Sequence, residues 1–272
     1  SVTGVQTCTL PILGMEMLEV DSWESSYELT RDIYLGAIEG EYLNSNFERS
    51  DELVELALTK VKSLLEKVNV YEIKIRSYQV RSLMQEALEL GLKVVEMLGV
   101  SLEKTAQKIE GEIEDLADLP DMTDSHKLAA VKLLDVMNTA AFVTNSKLLL
   151  PIEFTQVNLC VNYGNSPIAS KVYVNYGLLW SGFMNDFVKG YQFGKLGIKI
   201  LEQYNAREFK STVFDVFSAH IQHWKEPIKA TLEPLQEAFF SGLETGELIY
   251  SGYAIVTYCS NLFFVGEQIG RA

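Results

Sequence analysis

The sequence predicts an all-helical chain built from antiparallel helix pairs. Apolar residues recur at i, i+3, i+4 and i+7 along nearly the whole length. Leu53, Leu56, Ala57, Val61, Leu64 and Leu65 form one such stripe, and Ala87, Leu88, Leu90, Val94, Val95 and Leu98 form another. No stretch alternates apolar and polar residues long enough to demand a strand. Proline, which would break helices from within, occurs only six times in 272 residues.

The stripes and their stops define about thirteen helices. Their expected spans are 5–19, 22–43, 47–66, 69–82, 84–98, 102–118, 124–143, 146–163, 166–182, 185–204, 208–222, 226–243 and 246–265. Asp21, Ser101, Asp124 and Ser166 can accept hydrogen bonds from first-turn amides, and Pro167 suits a first helical position. Gly99, Gly164 and Gly246 stand where a left-handed stop is wanted.

Short breaks at 44–46, 83–84 and 183–185 make neighbours antiparallel, and pairs stacked in series make a solenoid. A tetratricopeptide (TPR) unit places a bulky residue, a small one four positions on, and an aromatic three further. Tyr173, Gly177 and Trp180 follow that order, with Phe193 in the partner helix. Tyr71, Ile75 and Tyr78, with Ala87 in the next helix, give a weaker echo, and so do Ile33, Ala37 and Ser50. The expected fold is therefore a TPR-like helical-repeat solenoid of about thirteen antiparallel helices, although any helical hairpin shares this small-next-to-large grammar. At Gly177 a neighbouring backbone should cross. Leucine there would push the pair apart, while alanine would be nearly neutral.

One segment differs. Residues 109–124 carry Glu110, Glu112, Glu114, Asp115, Asp118, Asp121 and Asp124, and Pro120 interrupts them. The expected organisation is N-terminal repeats over 1–100, an acidic connecting segment over 101–123 and C-terminal repeats over 124–272. The acidic run reads equally as a solvated face.

A net charge of −14 argues against nucleic acid and anionic membrane surfaces as partners. Cys8, Cys160 and Cys259 are too sparse for a disulfide framework and suit a reducing, cytoplasmic setting. No apolar run reaches the ~18 residues that a membrane span needs. The start lacks the basic and apolar regions of a signal peptide, and the chain reads as a segment of a longer polypeptide.

Catalytic and cofactor motifs are missing at this level. The nearest approach to a phosphate loop, Gly190-Tyr-Gln-Phe-Gly194-Lys195-Leu196, is one residue short between its glycines, and leucine replaces the magnesium-binding hydroxyl. None of His126, His220 and His223 follows a glutamate by three positions, as a di-iron bundle requires. His220 and His223 lie one turn apart, and no cysteine near them completes a structural metal site. Glu114-Asp115-Leu116-Ala117-Asp118 only loosely resembles the magnesium motif of prenyl-chain synthases. The expectation is a non-enzymatic chain without cofactor or metal.

Several strings occur together as an ordered set. They include Asn69-Val-Tyr-Glu-Ile-Lys-Ile-Arg-Ser-Tyr78, Met84-Gln-Glu-Ala-Leu-Glu-Leu-Gly-Leu92, Asp118-Leu-Pro-Asp-Met-Thr-Asp124, Val161-Asn-Tyr-Gly-Asn165, Val174-Asn-Tyr-Gly-Leu178, His223-Trp224 with Pro227, and Gly242-Leu-Glu-Thr-Gly246. As a set they resemble the helical region that follows the AAA-type ATPase module of large hybrid sensor proteins. In that family a Ser/Thr kinase-like domain precedes the ATPase, and a GAF sensor and a histidine kinase follow the helical region. The resemblance implies a TPR-like module in two-component signal transduction. It brings no catalytic residue, because the family's phosphate loop and phosphoacceptor histidine belong to other domains.

The expected role is a regulatory interaction module, engaging other domains of its own polypeptide, a partner protein or a small signal. Asn158, Asn162, Tyr163, Asn165, Tyr173, Tyr176 and Trp180 are the candidate groove residues, because they gather amides and aromatics around one inter-helix turn. The same residues suit a turn capped by its amides with the rings packed beneath. Two other roles stay open: a structural spacer between an ATPase and a kinase, and an all-helical enzyme with an enclosed pocket.

Overall fold

The computed structural model describes residues 10–144 and 146–266. Among them the regular elements are helical. The longer ones are α1 (Tyr27–Leu43), α2 (Phe47–Lys60), α3 (Leu64–Val80), α4 (Met84–Met97), α5 (Ser125–Val143), α6 (Leu149–Tyr163), α7 (Ala169–Gly182), α8 (Phe187–Gln203), α9 (Lys210–His220), α10 (Leu232–Thr245) and α11 (Leu248–Phe264), with shorter helical pieces before α1 and between several of them. One isolated parallel bridge, Asp121 to Asn165, is the closest approach to a strand among the described residues. The expected helix 5–19 lies partly outside them, and its described part is helical over 10–16.

The chain forms two compact units. Described residues up to 101 join 132–152 in the first, and 102–131 join the residues from 153 onward in the second. The acidic segment, expected to connect two blocks, thus belongs to the second unit.

In the first unit α1 pairs with α2 and α3 with α4. Ala37, Ile38, Leu53, Val54, Ala57, Val61 and Val70 form a buried cluster there. Small residues let the pair α1/α2 close: Ala37 is fully buried, and the Ser50 hydroxyl donates to the Ile38 carbonyl at 3.1 Å. The break before α3 falls at 61–63 rather than near 67. Ser63 and Glu66 form a capping box in which each side chain accepts from the other's backbone amide. The Ser-x-x-Glu spacing that specifies it lies within what reads as one continuous stripe. Burial alone would raise the Glu66 carboxyl. The Ser63 amide, Arg31 at 3.0 Å, the Ser63 hydroxyl and Tyr27 outweigh burial and hold it at about 2.

One turn geometry recurs through both units. The amides of Asn46, Leu83, Val100 and Ala206 each return to the carbonyl five residues earlier, on Glu41, Tyr78, Val95 and Leu201. The residue before each amide is left-handed: Ser45 (φ 65°), Ser82 (φ 61°), Gly99 (φ 70°) and Asn205 (φ 48°). This 6→1 bond satisfies the carbonyls that a helix end leaves unpaired. Gly164 and Gly246 also take the expected positive φ.

In the second unit α7 and α8 meet backbone to backbone. A Cβ on Gly177 would stand 2.7 Å from the Gly190 oxygen and 2.9 Å from the Gly194 nitrogen. One on Gly197 would stand 2.7 Å from the Ser170 oxygen. Further on, α9 packs against the hairpin α10/α11.

The expected helix 102–118 does not form as such. Residues 101–112 run without regular structure, and only Ile113–Asp118 turns, as a 3-10 helix. Glu110 with Glu114 and Glu114 with Asp118 would put like charges one turn apart, Gly111 adopts φ 92°, and side chains of α6 take amides that a helix would use. The expected helices 208–222 and 226–243 likewise begin or end in 3-10 turns, at Arg207–Phe209, Gln222–Trp224 and Ile228–Thr231.

The Gly177 geometry revises the expectation for alanine. Because the obstructing atoms are backbone, Gly177→Ala should cost ~1–3 kcal/mol and Gly177→Leu more. Thermal melts of both variants check this. An alanine variant as stable as the parent would contradict the close approach.

Candidate functional site

The candidate amides and aromatics gather in the second unit, where most of them hold the chain to itself. On α6, Thr155 and Asn158 lie one turn apart and point toward residues 102–107. The Thr155 hydroxyl accepts the Glu103 amide at 2.8 Å, and the Asn158 carbonyl oxygen accepts the Gln107 amide at 2.8 Å. The Asn158 NH2 donates to the Thr105 carbonyl at 3.1 Å and to the Glu103 carboxylate. A segment with no helical partners of its own thereby satisfies these half-buried polar groups from side chains.

Asn165 does the same for the far end of the segment. Its NH2 donates to the Leu116 carbonyl at 2.7 Å, and its amide donates to the Pro120 carbonyl at 2.8 Å. Its own carbonyl accepts the Met122 amide at 2.6 Å, and its side-chain oxygen accepts the Tyr173 hydroxyl at 3.0 Å. Gly164 must be glycine for this contact, since a Cβ there would lie 2.1 Å from the Pro120 oxygen. Tyr204 donates to Asp121, and Lys199 pairs with Glu114 at 3.2 Å.

Behind the amides lies an aromatic stack. Tyr173 lies nearly parallel to Phe193 at 6.4 Å, and Tyr176 meets Phe193 edge-on at 4.7 Å and Trp180 at 6.0 Å. Burial raises the Tyr173, Tyr176 and Tyr204 hydroxyls above their ordinary value, and Asp121 adds to the rise at Tyr204. Of the seven candidate residues, Asn158, Asn165, Tyr173 and Tyr176 are buried and Trp180 is partly covered. Asn162 and Tyr163 are exposed, and Lys127 lies over the Tyr163 ring at 5.5 Å. Thr155 and Tyr204 belong to the same network. No local motif marks them, because their partners are some 50 and 80 residues away in sequence.

The other sequence features have structural partners. Gly190, Gly194 and Lys195 lie inside α8, where the Gly190 amide donates to the Asp186 carbonyl and a Cβ on Gly194 would meet the Phe217 ring. These amides are aligned along a helix and do not cradle a phosphate. Among the described residues no three His, Cys, Asp or Glu side chains are disposed to hold a metal ion. Cys160 is fully buried, and burial pushes its thiol up to about 12; Cys8 lies outside the described residues. No described helix is long and apolar enough to cross a membrane.

One buried acid stands apart. Ser211, Asp215 and Ser218 line one face of α9, and all three are buried. One Asp215 oxygen finds no hydrogen-bond partner among the described residues, and burial pushes its carboxyl up to about 7.

Comparison with known proteins gives one informative likeness. The chain is 20% identical over 280 residues to hybrid signal transduction histidine kinase G of Dictyostelium discoideum, a match covering 90% of this chain. It spans 8% of that protein's length. No family model matches the chain, and no solved structure matches it.

Two predictions follow from these contacts. Asn158→Leu should leave the Gln107 amide without its acceptor, so Gln107 should exchange hydrogen much faster while the Met122 amide, held by Asn165, stays protected. Amide exchange followed by NMR reads both. Asp215 has a folded-state pKa above its unfolded value, so its ionisation should lower stability as pH rises from about 4 to about 7. Asp215→Asn should therefore stabilise the protein above pH ~7 and lose that advantage near pH ~4. Denaturant unfolding across this window measures the difference.

Proposed function

We propose that the chain is a non-catalytic, TPR-like helical module of a multidomain signal-transduction kinase, engaging another domain of its polypeptide or a partner protein. The observation that carries this reading is the likeness to a hybrid signal transduction histidine kinase along nearly the whole chain. Three further features support it. Helix pairs recur with the same 6→1 turn, as stacked repeats would. The small-residue position Gly177 sits at a backbone crossing, where the TPR-like register puts it. The near-miss phosphate loop is helical and its glycines serve packing. In this reading the module lies beside an AAA-type ATPase in a cytoplasmic sensor protein and carries no cofactor.

The spacer role draws support from one observation: Asn158 and Asn165 spend their polar groups on the chain's own segment, and the Tyr173 hydroxyl is spent on Asn165. A partner engaging this module would therefore use a different surface.

The purified chain should neither bind ATP stoichiometrically in calorimetry nor incorporate label from γ-labelled ATP. Binding at one site per chain, or transfer to any residue, would overturn the non-catalytic reading.

A further inference from the structure

A second surface of the same unit has the chemistry of a docking site. The turn between α7 and α8 exposes Phe183 (57%) and Met184 (44%), and the first turn of α8 exposes Val188 (53%). Trp224, 50% exposed, stacks on Phe187 at 4.2 Å with an interplanar angle of 23°, which joins the 3-10 turn after α9 to this apolar group. Neither Trp224 nor Phe183 fills a core, and large exposed aromatics clustered with a methionine are typical of recognition surfaces.

The charge here is opposite to that of the chain. Residues 183–195 and 223–229 hold four lysines, Lys189, Lys195, Lys225 and Lys229, against two acids, Asp186 and Glu226, a local balance of +2 on a chain of −14. Both acids are engaged. Asp186 caps the Lys189 amide at 3.0 Å and lies 3.9 Å from the Lys189 ammonium, and Glu226 accepts from the Tyr191 hydroxyl and from Gln222 at 2.8 Å. Lys225 is exposed beside Trp224, and Lys189 lies over the Trp180 ring at 4.3 Å.

We propose that this surface, centred on Trp224 with Phe183, Met184 and Val188 and rimmed by lysines, docks an acidic peptide segment bearing large apolar side chains. The apolar centre supplies contact area, and the rim selects negative charge in a molecule that otherwise repels it. An anionic membrane is disfavoured as occupant, because the remaining net charge would oppose approach. The proposal rests on the interaction-module reading but names its own surface, so its failure leaves the ATP result untouched.

The test uses a synthetic acidic peptide with Leu and Phe at i, i+3, i+4 and i+7, and a counterpart in which every Glu is Lys. Fluorescence anisotropy at low salt measures both. The acidic peptide should bind and the basic one should not. Trp224→Ala should weaken binding at least tenfold, and Lys225→Glu severalfold, with circular dichroism unchanged because both side chains are exposed. Equal binding of the two peptides, or binding indifferent to both substitutions, would overturn the proposal. So would no binding of the acidic peptide, or displacement of it by phosphatidylserine vesicles.

Discussion

A backbone amide or carbonyl withdrawn from water must find a partner, and in the second unit that constraint decides where the chain can go. Residues 102–122 leave the helical ladder, so their polar groups have to be met from elsewhere. Thr155, Asn158 and Asn165 meet them. Asn165 is the most heavily used of the three, since side chain and backbone together make four hydrogen bonds to Leu116, Pro120, Met122 and Tyr173. Replacing its side chain leaves the backbone bonds to Pro120 and Met122 but takes the partners of the Leu116 carbonyl and the Tyr173 hydroxyl, and loss of buried partners costs more than the bonds themselves contribute. Gly164 is fixed by the same contact, because no side chain fits against Pro120.

The hairpin α7/α8 obeys a steric rule in place of a polar one. Gly177, Gly190 and Gly197 bring the two backbones within contact distance, and Tyr173, Tyr176 and Phe193 fill the space that opens beside them. The network and the crossing share Tyr173, whose ring packs in the aromatic stack while its hydroxyl binds Asn165. Scaffold and amide cluster are one construction, so the residues around this turn carry structural duty before any other. The outward-facing rings at Phe183 and Trp224 are under no such duty.

The all-α class was legible because it depends on local periodicity, and Gly99, Gly164 and Gly246 were legible because left-handed stops favour one residue type. Gly177 could be read as a close crossing, but not that its obstacles are backbone atoms 13 and 17 residues on. The failure at 102–118 has the same origin. Leu102, Ala106, Ile109 and Ile113 keep the helical period, and periodicity alone cannot show that side chains about 50 residues away compete for the amides. Ser63 and Glu66 mark a start signal that was present locally yet hidden by apolar residues running through it. Among the candidate groove residues the sequence could gather Asn158, Asn165 and Tyr173 near one turn. It could not say that the partners of Asn158 and Asn165 would lie in the chain's own acidic segment.

The distance between that segment and its partners has a consequence during synthesis. The bonds from Thr155 and Asn158 to residues 103–107 span 51 to 55 positions, so α6 must exist before the segment can settle. As the polypeptide emerges from its N-terminal end, residues 102–124 therefore wait in water while some forty more are made. A waiting stretch of apolar residues would invite association with neighbouring nascent chains. The seven acidic side chains between 110 and 124 repel such neighbours and keep the stretch hydrated until α6 arrives. The acidity of the segment thus serves the unfinished chain as well as the finished one.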